Sequence, residues 1–399
     1  VFVFNGIYHG SIFINKSLSL QGEDKNYTVI YGKDLWHNST ITIFADFTNI
    51  HDLQISNCSH IFGASIKLCA NHCKINNTIL SFNRNEGLII ENSHSNLITD
   101  NIITNNERGG VFIDNCSDSE FSYNKITNND YASFGVFMRF SSNNTFHSNH
   151  ITNNGVGIHD GASNNNVFYN NSILNNNHGM SFGSCTNNYF FDNVLVNNNY
   201  RHVLIEYSNN CIVQNNTCNS NSETGMAIHF SSFITIKNNN INDCKKFSLA
   251  LALSNNITIE YNEICNNNKW GIIFHDADHN LIKENNISSN GNNSIQFEED
   301  SNNNEIIANL ISKNGEHGIY LQYSSDNSIS ENIFLFNQRN AYYKNCNNSW
   351  MNNYWNRPRF LPKPIFGVKT IPGYFDENKS YDIPCISFDS NPSLTAYKI

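Results

Sequence analysis

Apolar and polar positions in this chain follow a frame that returns every 22 to 25 residues. Glycine marks it at Gly63, Gly87, Gly110, Gly135, Gly157, Gly179, Gly225, Gly271 and Gly318, with His202, Ser248, Ser294 and Asn340 in the same column. The next column is apolar (Leu88, Val111, Val136, Ile158, Met180), and so is the third after the mark (Ile90, Ile113, Met138, Phe182, Ile205). Apolar residues two apart predict a strand with one buried face. Further apolar columns lie seven before the mark (Ile241, Ile264, Ile287) and about ten after it (Phe121, Phe146, Phe168, Phe190). Each repeat therefore predicts three short strands around one interior, and no helical period competes. The expected fold class is all-β: a right-handed parallel β-helix, a solenoid of about thirteen ~23-residue coils with N- and C-terminal caps.

Asparagine recurs four residues before the mark, at Asn83, Asn106, Asn153, Asn175, Asn198, Asn221, Asn267, Asn290 and Asn314. Asn tolerates left-handed backbone at tight corners. Stacking at about 4.8 Å per coil predicts ladders of amides bonded coil to coil. The frame divides the chain into a cap with the first coils over 1–50, repeat coils over 51–350, and a Trp- and Pro-rich cap and tail over 351–399. Five of the six prolines lie between 358 and 384, and Trp350 and Trp355 are candidates to plug the end of the core.

Composition narrows the partners. A net charge of −10 with only 15% charged residues includes no basic stripe, so nucleic acid is not expected. No apolar run is long enough for a membrane-spanning helix. The low-charge, Asn-rich character points to an extracellular or cell-envelope location. Fourteen Asn-x-Ser/Thr sequons occur, among them Asn15, Asn57, Asn143, Asn256 and Asn378, the candidate glycosylation sites. Of the eleven cysteines, Cys69, Cys116, Cys185 and Cys346 share a column on non-adjacent coils, too far apart to bridge. Most thiols are therefore expected to be free. Cys58, His60, Cys69, His72 and Cys73 have ligand types for zinc or copper, at a spacing that fits no standard module. No cofactor is expected, and a metal ion at this cluster is the one addition the residues allow.

The opening Val-x-Val-x-Asn-Gly-x-Tyr, the Lys16-Ser-Leu-Ser-Leu-Gln-Gly-Glu23 segment and units such as Asn149 to Ile158 resemble the pectate-lyase-like β-helix superfamily. Within it, the chain is similar to NosD-like and archaeal surface parallel β-helix repeat proteins. The resemblance covers residues 1 to 367. It implies the fold and no single activity, because the superfamily holds lyases, hydrolases, C5-epimerases, adhesins and surface-layer components.

The outward columns, two and four after the mark, carry the candidate chemistry. Glu206 with His229, and His275 with Glu298, stand on adjacent coils within reach of each other. Among inward positions three after the mark, only Asp160 breaks the apolar run. Burying an unpaired carboxylate is costly, so a bulge or outward flip is the leading expectation; a buried hydrogen-bonded Asp and a functional site are the alternatives. The best catalytic patch is Arg139, His159 and Asp160. Arg139 would neutralise a uronate carboxylate and His159 would take the C5 proton. Phe112 and Phe137 would stack sugar beside it, with Tyr320 and Tyr342 as further carbohydrate contacts.

The repeats carry no long insertions to wall a cleft, which weighs against an enzyme. The reading is an extracellular cell-surface β-helix with a structural, surface-layer, filament or adhesive role. Its partners would be cell-surface glycans or sister subunits, in a homo-oligomer or filament. The alternative is a polysaccharide lyase or C5-epimerase acting on a uronate-containing glycan. A third reading is a NosD-like metal-handling protein using the Cys58–Cys73 cluster.

Overall fold

A computed structural model of the chain describes residues 1–32, 39–130, 133–220, 223–372 and 380–397. These residues hold strands and turns and no helix. The chain divides into two compact units, Val1–Val203 and Leu204–Ile399.

In the first unit each coil adds one strand to each of three parallel ladders. Ile75 pairs with Ile50 and Ile98, Leu80 with Ile55 and Ile103, and Leu88 with Ile66 and Val111. The first ladder has nine strands here, from Phe2–Val3 to Tyr189–Phe191. The second unit repeats the plan with seven, from Ile212–Gln214 to Ser349–Met351. The sixteen turns exceed the thirteen expected, because the glycine frame runs only from 63 to 340 and leaves the N-terminal turns and the last one unmarked.

The predicted apolar columns form the core. Phe121, Phe146, Phe168 and Phe190 stack in sequence at centroid distances of 4.4, 5.1 and 5.3 Å. Burying such a side chain contributes roughly 1.5–3 kcal/mol. The glycine column marks close approach between coils: a Cβ on Gly110 would lie 2.5 Å from the carbonyl oxygen of Gly135. Where Ser248 takes the column, its hydroxyl donates to the carbonyl of Ile241 at 2.9 Å.

Amide ladders close the corners. Asn101, Asn124, Asn149, Asn171 and Asn193 are buried, each Nδ2 donating to the next Oδ1 at 3.0 Å. The residues before them, Asp100, Tyr123, Ser148 and Asn170, make the turn at φ of 51 to 58°. In the second unit Asn216, Asn239, Asn262, Asn285 and Asn309 repeat the ladder at 3.0 Å. The corner before the glycine mark is built from Asn83, Asn106, Asn129, Asn154, Asn176 and Asn198. Asn154 and Asn176 thus replace the expected Asn153 and Asn175, which take the left-handed turn at φ 56° and 55°. Two of these coils have one residue fewer between ladder and glycine, which moves the amide along by one. Asn221 lies outside the described residues.

In the second unit Trp350 and Trp355 are buried, and Trp355 stacks on Phe334 at 4.4 Å. The hairpin Lys363–Pro372 with Ser380–Asp389 reaches them through Asp389. Its Oδ2 accepts from Trp355 Nε1 at 2.9 Å and from the Asn353 backbone at 3.0 Å. No disulfide joins the eleven cysteines among the described residues.

Candidate functional site

The outward side of the third ladder carries the candidate chemistry in both units. In the first unit, strands Gly109–Asp114, Phe134–Arg139 and Val156–Gly161 pair in register, so Phe112, Phe137 and His159 line up across three coils. Their rings stack almost parallel, Phe112 on Phe137 at 5.6 Å and Phe137 on His159 at 5.2 Å. Phe134, just before the glycine mark, leans over the run at 4.9 Å from Phe137 and 5.3 Å from His159. Arg139 lies 5.3 Å over Phe112, and its Nη2 donates to Asp114 Oδ2 at 2.7 Å.

The proposed catalytic trio does not come together. Arg139 and His159 face outward, whereas Asp160 points into the core and is fully buried. The expected bulge is absent: Met138, Asp160 and Phe182 pair one to one. Strand alternation therefore places Asp160 on the opposite side from His159. Asp160 Oδ2 accepts from Asn188 at 3.1 Å and Asn166 at 3.4 Å, while Oδ1 meets no partner among the described residues. Burial pushes its carboxyl up to about 7, against the pull of Ser163, Asn166, Asn188 and Cys185. Asp160 is thus a core carboxyl, and Arg139 is already neutralised by Asp114.

Beside the rings is a recess of about 440 Å³ lined by Glu86, Glu107, Arg108, Asp130, Phe112, Phe134 and Phe137 among others. Gly109 stands between Glu86 and Phe134 in the ladder, and the missing side chain helps open the space. Burial pushes the Glu86 carboxyl above its usual range. The Gly109-Gly110 doublet is a sequence signal that could have pointed to this recess.

In the second unit Tyr320 and Tyr342 stack at 6.0 Å with rings 4° from parallel. His317 lies 5.5 Å from each, and Arg339 sits 4.8 Å over Tyr342. Sequence reasoning found the tyrosines and missed His317 and Arg339. Both stand just before the glycine mark, at a corner where strand alternation does not predict direction. His229 Nδ1 meets Glu206 Oε1 at 3.2 Å, as the adjacent coils suggested. His275 pairs with Glu299 at 3.3 Å rather than with Glu298.

Cys58, His60, Cys69, His72 and Cys73 do not gather three ligating side chains at one point among the described residues. Cys58 and Cys73 are buried, and burial pushes the thiols of Cys58, Cys69 and Cys73 up, disfavouring the thiolates a metal needs. His72 stacks on Phe47 at 5.0 Å, and His60 lies 5.9 Å from Phe62. No group of three metal-ligating side chains assembles among the described residues. Asn15, Asn143 and Asn256 are exposed, Asn57 is half-buried, and Asn378 lies outside the described residues. No helix among the described residues is long and apolar enough to cross a membrane.

Residues 34–155 and 62–201 match the family model of the right-handed β-helix region. Residues 178–311 and 248–373 match the model described as periplasmic copper-binding protein (NosD). The Cys58–Cys73 cluster falls outside the second match. No curated protein matches the chain. Similar solved structures include a mutant of the periplasmic alginate epimerase AlgG, 14% identical over 72% of each chain with a TM-score of 0.39. A mannuronan C-5 epimerase A-module from Azotobacter vinelandii is 15% identical over 87% of this chain and 88% of its own, at 0.35. An alginate lyase from Paenibacillus sp. str. FPU-7 is 14% identical over 69% of this chain and 95% of its own, at 0.39. With three parallel ladders in each unit and β-helix family matches along both, the chain is a member of the right-handed parallel β-helix superfamily.

Proposed function

We propose that this chain is an extracellular or cell-envelope protein that contacts glycans along the outward side of its third ladder. The observation that carries this reading is the run of near-parallel rings Phe112, Phe137 and His159. Such half-exposed rings offer flat apolar area to the C–H faces of sugars at low entropic cost. The test is calorimetric titration of the full chain with neutral and uronate oligosaccharides. Phe137→Ala should weaken binding about tenfold, as removal of a central aromatic anchor does. If no oligosaccharide binds the wild type, the reading fails. A surface-layer or filament role adds contacts between copies, and imaging of the native material tests for arrays.

The lyase or epimerase alternative moves from the Arg139–Asp160 patch to the recess. The half-buried Glu86 carboxyl, whose pKa burial raises, is suited to proton transfer beside the rings. Wild type should then release unsaturated or epimerised uronate products, and Glu86→Gln should abolish them. Equal turnover in the variant rules Glu86 out.

A further inference from the structure

The second unit holds a polar cluster with a different chemistry. Asn293 Oδ1 accepts the backbone N–H of His317 at 2.9 Å and lies 2.8 Å from His317 Nδ1. A backbone N–H can only donate, so this atom is the amide oxygen, and Nδ1 must carry the proton. Asn293 Nδ2 donates to Gln296 Oε1 at 2.6 Å, and Gln296 Nε2 donates to Glu298 Oε1. A carboxylate and two buried amides therefore fix one tautomer of His317, with Asn293 and Gln296 only 4% and 7% exposed. Nε2 is left as an acceptor, and among the described residues it meets no hydrogen-bond partner.

Beside the imidazole stand the stacked rings of Tyr320 and Tyr342, each 5.5 Å from it, and the guanidinium of Arg339 lies over Tyr342. Tyr320 donates its hydroxyl to Gln322 Oε1 at 2.8 Å. Arg339 enters no ion pair among the described residues, whereas Arg139 in the first unit is held by Asp114. Aromatic faces, one oriented acceptor and an uncommitted guanidinium are a complementary set for a ring with hydroxyls and a carboxylate.

We propose that this cluster binds a carboxylate-bearing sugar of an acidic glycan. His317 Nε2 accepts from a sugar hydroxyl, Arg339 pairs with the carboxylate, and Tyr320 and Tyr342 carry the sugar face. The proposal rests on the glycan-contacting reading and names the ligand class for the second unit. Binding fits His317 better than proton removal does. Burial, then the charge of Arg339, hold its imidazole down to about 4, so it is neutral near pH 7 and a weak base there. The groups facing it are Tyr320 on its own strand, Tyr342 and Arg339 on the next coil, and Glu298 through the two amides on the preceding coil.

The test is calorimetry on the full chain with hexamers of galacturonate, mannuronate and guluronate, and with their carboxyl-reduced forms. At least one uronate hexamer should bind, about tenfold tighter than its reduced form. Arg339→Gln should remove that tenfold advantage and leave the reduced form unchanged. His317→Phe, which keeps a ring in place, should weaken both forms several-fold. Wild-type affinity should stay flat between about pH 5 and pH 8, because the acceptor does not titrate there. Thermal unfolding of each variant checks that it folds. Uronate binding untouched by Arg339→Gln, or reduced hexamers binding as tightly, overturns the proposal. Binding that falls only with Phe137→Ala overturns it too and leaves the glycan reading standing. Failure of every oligosaccharide to bind sinks both.

Discussion

The two outward strips share a backbone plan and differ in what they can recognise. The first unit presents Phe112, Phe137 and His159, with Arg139 paired to Asp114. The second presents Tyr320 and Tyr342, with an oriented histidine and an arginine outside any ion pair. Beneath both strips run the same interior columns and corner amides. The comparison teaches that the interior of a β-helix sets where side chains stand, and the outward columns are free to change ligand chemistry.

The largest effect comes from removing the interior under a strip. Phe146 is stacked between Phe121 and Phe168, and Phe146→Ala should cost about 3–5 kcal/mol. Denaturant unfolding measures this, and glycan contact at the first strip should be lost with the coil. Binding that survives a destabilised coil would break the link between interior and strip.

Next is the acid that only the first unit buries in this column. Asp160 has its carboxyl raised to about 7, while the second unit has Ile228, Leu251, Phe274, Phe297 and Leu321 there. The folded chain keeps a proton that the unfolded chain releases near 3.8, so stability is full below that value. It then falls as pH rises towards about 7, by at most about 4 kcal/mol. Urea midpoints from pH 4 to 8 should show this slope in wild type and a flatter one in Asp160→Asn. Equal slopes would remove Asp160 as the cause.

A smaller change should make the first strip resemble the second. Asp114→Asn frees Arg139, and affinity for a uronate hexamer should rise about three- to tenfold at low salt and return to wild type at high salt. A neutral hexamer should not respond. The smallest expected effect is at the relay: Asn293→Ala should let His317 sample both tautomers, seen in its ring nitrogen shifts by NMR. Binding of a uronate hexamer should fall about two- to threefold. An unchanged tautomer would mean that Asn293 does not set it.

Fold and core were legible in the sequence because their signals repeat at every coil. A single Gly110 says little, but its column shows that coils meet backbone to backbone. The turn count was less legible, since the end-coil glycines that make such contacts, Gly22 and Gly367, stand outside the repeating column. Asn154 was mistaken for Asn153 because each coil sets its own corner, and a coil short by one residue shifts the amide. The Asp160 expectation failed for an energetic reason. A buried carboxyl is tolerable when it stays protonated and accepts from Asn166 and Asn188, so the strand need not distort. His317 and Arg339 were missed because residues at strand starts turn with the corner, and their partnership crosses coils 22 residues apart.

The amide ladders act on inheritance as a reading frame acts on a message. Loss of one residue inside a coil would put each corner Asn out of step with the donors and acceptors of its neighbours. Loss or duplication of a whole coil leaves every amide facing another. Lineages of this chain should therefore differ in length by whole coils, while the outward columns drift one residue at a time. The number of sugars a strip can touch would then be set by copying coils, with no need to invent a new contact.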